Sequence, residues 1–502
     1  MERYSDTKSL PQLISVVVAL ALGFLIIYFS VVISFMNSYY LLKYILFYSL
    51  SLFIMYKIQH QKSFYFPSFY MFLFFSLIPV LGIIGYHYGY RKLYPDYLGV
   101  QLNMSLALDI WLQGLFFFML GIFLVHIVWK YFQKNRKSAS ELKSYLSWNW
   151  KGFRFLLFAL AGISFIASIA VIWRIGYIPI FKGNISVERF SYYLRTGEWT
   201  LKLARLWLLV YLFAFMKLLS NIRIDKGFRL RRNLPLIFLL FLSFFLDGIY
   251  GDRFHHFVMF FFSIIMLNKA VKKINLTHFI SLLLAAILVA NFIFYYRKAS
   301  AFRENIFNKV ISHTFSEFHS YAYAIQEYPE RELLYGKTFI STLAPLFPKQ
   351  IWAVFGIDKD ELSDMNSAYI MSKIFNTYAG IRVGIIGEGF INFGYFGIIL
   401  IPFLVGILFG ALENLFISLR IFDVKEIILA FAISILLFLP LAQSNVLTEM
   451  FFFNLYFIIA AIIFFKKKQV SGDVLFQPAE NSKSAWEDER NTFPLNHRLR
   501  IR

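Results

Sequence analysis

Eight arginines are the residues of this chain best suited to chemistry: Arg174, Arg189, Arg195, Arg253, Arg297, Arg303, Arg331 and Arg382. On the topology derived below, all of them fall on the non-cytoplasmic side of a membrane. Arginine is not expected to gather there, because Lys and Arg concentrate in cytoplasmic loops. A guanidinium presents a planar fork that grips phosphate oxygens in bidentate fashion and stays charged when partly buried. A set of them at the outer membrane edge suits a lipid diphosphate. The competing reading for each is headgroup contact, or pairing with Glu188, Asp252 or Glu304. Arg253 is the best placed. It lies in the sharp break Asp247-Gly-Ile-Tyr-Gly-Asp-Arg253 between two short apolar runs, where an ionisable group is costly and faces the bundle interior. His255 and His256 follow it, either as proton carriers or as interfacial histidines.

Other groups stand near these arginines in sequence. Arg189 and Arg195 are six residues apart, which on a regular helix puts them on different faces. A glycine-rich return runs Gly384-Ile-Ile-Gly-Glu-Gly-Phe-Ile-Asn-Phe-Gly-Tyr-Phe-Gly397. It offers either backbone N–H groups to an anion at a helix start or close helix packing, and it lacks the Gly-Lys-Ser/Thr ending of a nucleotide loop. Within it, Glu388 could pair with an arginine or take a proton from an attacking hydroxyl, and Asn392 lies one turn on. Glu317 and His319 are further candidate bases, and Lys337 is a candidate cation in Tyr335-Gly-Lys-Thr-Phe339. No His-x-x-x-His pair with carboxylates and no Asp-x-Asp stands out, so neither a metal nor another cofactor is expected.

The elements that must position these groups are membrane spans. Of 502 residues, 59% are hydrophobic and 16% charged, more apolar than a soluble domain needs. Hydropathy places about twelve spans: near 13–35, 39–55, 67–89, 105–131, 153–173, 200–219, 234–248, 254–267, 276–296, 393–415, 426–441 and 450–465. The first reads as a retained signal anchor. The fold class is therefore an all-α polytopic integral membrane protein. Basic clusters test the count. Lys130 to Lys137, Arg223 to Arg232, Lys269 to Lys273 and Lys466 to Lys468 each follow an even-numbered span. All then lie on one face, which is cytoplasmic. This also accounts for most of the +21 formal charge without a nucleic-acid partner. No cysteine is present, which excludes disulfides and a thiol nucleophile.

Four regions follow: a bundle over 1–296, a long outer loop over 297–380, further spans over 381–466, and a cytoplasmic tail over 467–502 that is polar and expected to be disordered. A loop as long as 297–380 is functional more often than a mere connector. Part of it is helical by spacing: Ile306, Phe307, Val310, Ile311, Phe315, Phe318, Ala322 and Ile325 share one face. That helix lies either on the outer membrane surface or against the bundle.

Over 13–465 the chain resembles the bacterial oligosaccharide repeat-unit polymerases of the Wzy type, which make O-antigen and capsule. The resemblance rests on Gly251-Asp-Arg253, on the outer Gly-Tyr-Ile-Pro-Ile-Phe181 segment with its arginines, and on Tyr335-Gly-Lys-Thr-Phe339. Pro345-Leu-Phe-Pro-Lys349 and Gly387-Glu-Gly-Phe-Ile-Asn-Phe-Gly394 complete it. It implies a metal-independent glycosyltransferase at the periplasmic face of the inner membrane. The donor would be an undecaprenyl-diphosphate-linked oligosaccharide and the acceptor a second lipid-linked repeat unit. Membrane lipid and a chain-length regulator protein would be further partners. Arg253, Arg189 and Arg195 would be the leading diphosphate ligands and Arg297, Arg303 and Arg382 second-rank ones, Lys337 would bind substrate, and Glu388 and His319 would act as base or orient the acceptor. Three different functions would suit a similar membrane bundle. A flippase for the same lipids would need paired halves and short loops on both faces. A ligase would move finished glycan to lipid A, and a scaffold of the export complex would carry no chemistry.

Overall fold

The computed structural model describes residues 38–59, 67–85, 102–135, 144–148, 150–178, 198–224, 229–249, 253–270, 316–328, 332–344, 349–374, 382–419, 424–440 and 465–469. The expected spans near 13–35 and 276–296, and nearly all of 450–465, lie outside them. So do residues 306–315 of the expected amphipathic helix. The described elements are helices apart from one short ladder. The apolar helices are α1 (Ser38–Gln59), α2 (Pro67–Gly85), α3 (Met104–Asn135), α4 (Trp150–Ile175), α5 (Glu198–Ala204), α6 (Trp207–Ile224), α7 (Leu230–Gly248) and α8 (Arg253–Ala270). Next come α9 (Ser316–Glu327) and the short helices α10 (Lys337–Ser341), α11 (Lys349–Val354), α12 (Lys359–Asp364) and α13 (Ser367–Ile374). Two apolar helices close the series, α14 (Gly384–Ser418) and α15 (Val424–Leu436). β1 (Ser144–Trp148) pairs antiparallel with β2 (Phe465–Gln469), which carries ordered chain into the segment expected to be a tail. Among the described residues, three helices are long and apolar enough to cross a membrane: α3 from Met104 to Phe132, α4 from Phe155 to Ile175, and the whole of α14.

The core is the pairing of α3 with α14. A Cβ on Gly406 would run into the Phe118 carbonyl, so only glycine permits this backbone-to-backbone approach. The same pairing fixes which ends lie together. Ser68 of α2, His126 of α3 and Glu413 of α14 meet at one end. Gly82 of α2, Ala107 of α3 and Ile385 of α14 sit towards the other, against α9 or the chain beyond α15. On the expected topology the first end is the cytoplasmic one and the second the external one, and the two ends keep these names.

Two expectations need correcting. The expected span at 200–219 is broken into α5 and α6, with turns at Arg205 and Leu206 between them. The glycine-rich return is not a loop. Residues 384–393 are the first turns of α14, wholly buried up to Asn392, and the backbone breaks at Gly394 with φ 60 and ψ −144. The apolar residues Ile385, Ile386, Phe390 and Ile391 drive those turns into the core, and glycine supplies the dihedral that reverses the chain. The choice left open for α9 also resolves. Phe318, Tyr321, Ala324 and Ile325 are at most 1% exposed and pack against α2, α3 and α14, so the described part of this helix belongs to the bundle.

Candidate functional site

The external end of the bundle is assembled from α7, α8, α9, α10, α14 and the chain after α15. A buried acid ties α7 to α8. Asp247 accepts a hydrogen bond at Oδ1 from His255 Nδ1 at 2.9 Å, and His256 Nδ1 lies 3.9 Å from Oδ2. His256 Nε2 donates to the Phe244 carbonyl at 2.9 Å, and its ring meets Phe244 edge-on. A carbonyl only accepts, so this contact fixes the proton on Nε2. All three polar residues are buried. Arg253 opens α8, two residues before His255.

The next residue, Phe254, packs its ring 5.2 Å from Phe438, beyond the end of α15. The Arg382 guanidinium lies over the same Phe438 ring, 5.8 Å from its centroid. Two residues 128 apart by their numbers (382 − 254) therefore meet at one aromatic ring. The amide of Ile385, one of the unpaired donors of the α14 N-terminus, is taken up by the Leu439 carbonyl at 3.2 Å. That amide serves packing, not an anion.

Asn392 is a clamp. Its Oδ1 accepts from the Gly336 amide at 2.9 Å, and its Nδ2 lies 2.7 Å from both Thr338 Oγ1 and the Glu388 carbonyl. The amides of Leu334 and Tyr335 donate to the Ile391 and Asn392 carbonyls. Because the α14 helix breaks at Gly394, carbonyls at 391 and 392 are available to hold the loop instead of continuing the helix. The left-handed φ at Tyr335 and Gly336 (47 and 88) makes the tight turn into α10. Lys337 follows that turn and is exposed.

Glu388 is 1% exposed, one turn before Asn392, and Gly387 beside it lies against the Tyr321 ring. His319 is buried, and its Nε2 donates to the Gly82 carbonyl at 2.6 Å. With Nε2 protonated, any acceptor role falls to Nδ1. Of the candidates read from the sequence, the structure places Arg382 over the ring that Phe254, the residue after Arg253, also meets, and it places Lys337, Glu388 and His319 on elements packed around the first turns of α14. Arg189, Arg195, Arg297 and Arg303 lie outside the described residues. Among those residues, no group of three or more His, Asp and Glu is arranged to hold a metal.

Sequence reasoning missed Asp247 as the partner of the histidines, and it missed Phe438 and the clamp role of Asn392. Asp247 carried a usable signal: an acid ending an apolar run is expensive in a membrane unless paired. Phe438 carried none, being one phenylalanine of 62.

The family model for O-antigen polysaccharide polymerase Wzy matches residues 13–469, and the chain belongs to that family. It is thus an integral membrane polymerase of polysaccharide biosynthesis. No curated protein and no solved structure matches it.

Proposed function

We propose that this chain transfers an undecaprenyl-diphosphate-linked oligosaccharide onto a second lipid-linked repeat unit, at the outer face of the inner membrane. A hydroxyl of the acceptor attacks the anomeric carbon of the donor. The new glycosidic bond forms as the bond to the diphosphate oxygen breaks. The hydroxyl proton passes to a base, and undecaprenyl diphosphate leaves. Negative charge grows on the diphosphate in that step, and fixed cations stabilise it as it develops. No redox step is involved.

The observation that carries the site assignment is the convergence of Arg382 and the start of α8 on Phe438. It supports Arg253 and Arg382 as a cationic pair at the rim, with Arg189, Arg195, Arg297 and Arg303 as further diphosphate contacts. Lys337 would reach the glycan or the second phosphate. Glu388 and His319 would hold or deprotonate the acceptor. Glu388, buried beside the clamp, suits the role of base, and the Gly82 contact suits His319 better to orientation. A chain-length regulator would act on the assembled enzyme from outside this site.

Deleting the gene and running the surface glycan on a gel tests the reaction. Lipid A capped with single repeat units is the expected result, whereas loss of all glycan would indicate a flippase or ligase instead. Arg253→Lys tests the site. It should cut polymer formation by on the order of tenfold or more at unchanged protein level, the equivalent of one lost charge-assisted hydrogen bond. Full activity would remove Arg253 from the site.

A further inference from the structure

The chain between α10 and α12 exposes apolar side chains that a water-facing loop would bury. Val354 is 83% exposed and Phe355 69%, and Ile340, Leu343 and Ile351 are exposed as well. They are segregated from charge. On α11, Ile351 and Val354 share one face at i, i+3 spacing, while Trp352 turns inward. Trp352 donates from Nε1 to the Ala344 carbonyl and forms a small core with Ala344 and Leu362. Lys349 pairs with Asp360 at 2.6 Å and stands 3.9 Å from Asp358.

This patch is also continuous with the surface of a spanning helix. The Phe339 ring of α10 stacks on Phe393 at 6.4 Å, and the Asn392 clamp fixes the turn before it. Immediately past the break at Gly394, Tyr395 and Phe396 are 60% and 62% exposed on α14, a helix apolar and long enough to cross a membrane. Tyr335, 72% exposed at the junction, is the residue type that settles at a membrane–water interface.

We propose that the face formed by Ile340, Leu343, Ile351, Val354 and Phe355 is a lipid-contact surface that seats the loop in the membrane leaflet at the external end of the bundle. The lipid-facing belt of α14 then extends over the loop, with the charges of α12 on the water side. The surface holds α10, and with it Lys337, at a constant depth.

The absence of cysteine makes the test direct. Val354→Cys and Phe355→Cys each give the full chain a single thiol for a nitroxide. Phe396→Cys on α14 is the lipid-facing reference, and Asp364→Cys on α12 the water-facing one. In phosphatidylethanolamine–phosphatidylglycerol vesicles, labels at 354 and 355 should collide severalfold more with oxygen than with a water-soluble nickel chelate, as at 396. The label at 364 should show the reverse. Nickel access at 354 and 355 equal to that at 364 overturns the proposal. So does protection from both reagents with spin–spin broadening, which indicates a second copy, or protection that arises only on adding undecaprenyl phosphate. Should either variant fail to insert, Leu343→Cys reports the same surface.

Discussion

At the cytoplasmic end, Glu413 and Lys269 are consumed by helix termini. At the external end, Asp247 of α7 holds His255 and His256 of α8, the helix that Arg253 opens. Glu413 is wholly buried. It accepts the Ser68 amide at the start of α2 at 2.6 Å and pairs with His126 at 3.0 Å. Lys269 donates to the Phe416 and Leu419 carbonyls at the end of α14, pairs with Glu426 at 2.8 Å, and lies over the Phe416 ring. Each of these charges meets the helix pole of opposite sign. The external acid instead serves side chains, and places two imidazoles next to the arginine on which the proposed chemistry leans. The same cost of burying charge is thus met by helix termini at one end and by neighbouring imidazoles at the other.

The sharpest way to break this comparison is to remove the cytoplasmic charges. Lys269→Ala and Glu413→Ala should each destabilise by about 3–5 kcal/mol, the usual consequence of stranding a buried partner. Thermal unfolding in detergent checks this. Activity per folded molecule should stay at the parental level, and a selective loss of activity would erase the distinction between the two ends.

Next come the holds on the external side. Asn392→Ala leaves the Gly336 amide without its acceptor and should cost about 1–3 kcal/mol. Gly394→Ala places a side chain at a dihedral suited to glycine and should cost about 1–3 kcal/mol. Both should also lower polymer length on the glycan gel, since they release the turn carrying Lys337. Asp247→Asn is milder for the fold, because its amide oxygen still accepts from His255. It removes the charge, however, so its activity should fall by more than its melting temperature suggests. An unchanged polymer ladder in Asp247→Asn would make the turn purely structural.

The smallest effect is expected at the exposed pair Lys349–Asp360. The hydrogen bond and charge of Lys349 hold the Asp360 carboxyl below its ordinary value, and the same contact raises Lys349. The carboxylate's contribution is present above its ordinary value and lost as pH falls through the lowered one. The ammonium's contribution is present below its ordinary value and lost as pH rises through the raised one. The pair is therefore intact at neutral pH, but both groups lie in water and gain little. Asp360→Asn should leave the melting temperature unchanged there.

Much of the fold was legible because spanning a membrane demands runs of apolar residues, and such runs show in any hydropathy reading. The helices at Ser38–Gln59, Met104–Asn135 and Trp150–Ile175 fall where those runs are. The break between α5 and α6 was not legible, since the apolar run resumes immediately after Arg205. Lys269 was read as one cytoplasmic positive charge among several, yet its side chain is buried, because it can reach carbonyls at the end of α14 that the packing of α8 on α15 brings near. The glycine-rich stretch read as a turn because glycine permits both a turn and a close helix contact, and the choice lies with the partner surface.

By itself, the sequence determined that this is a helical membrane protein of the polymerase family, and its basic clusters set the expected sidedness. These follow from hydrophobic length, charge sidedness and local residue pattern, all encoded along the chain. Only tertiary structure decided that Arg382 and Phe254 share the Phe438 ring, that Asp247 holds His255, and that Asn392 clamps the turn before Lys337. Those contacts join residues distant in number or facing inward from different helices. Their formation depends on side-chain packing between helices, which no local pattern specifies.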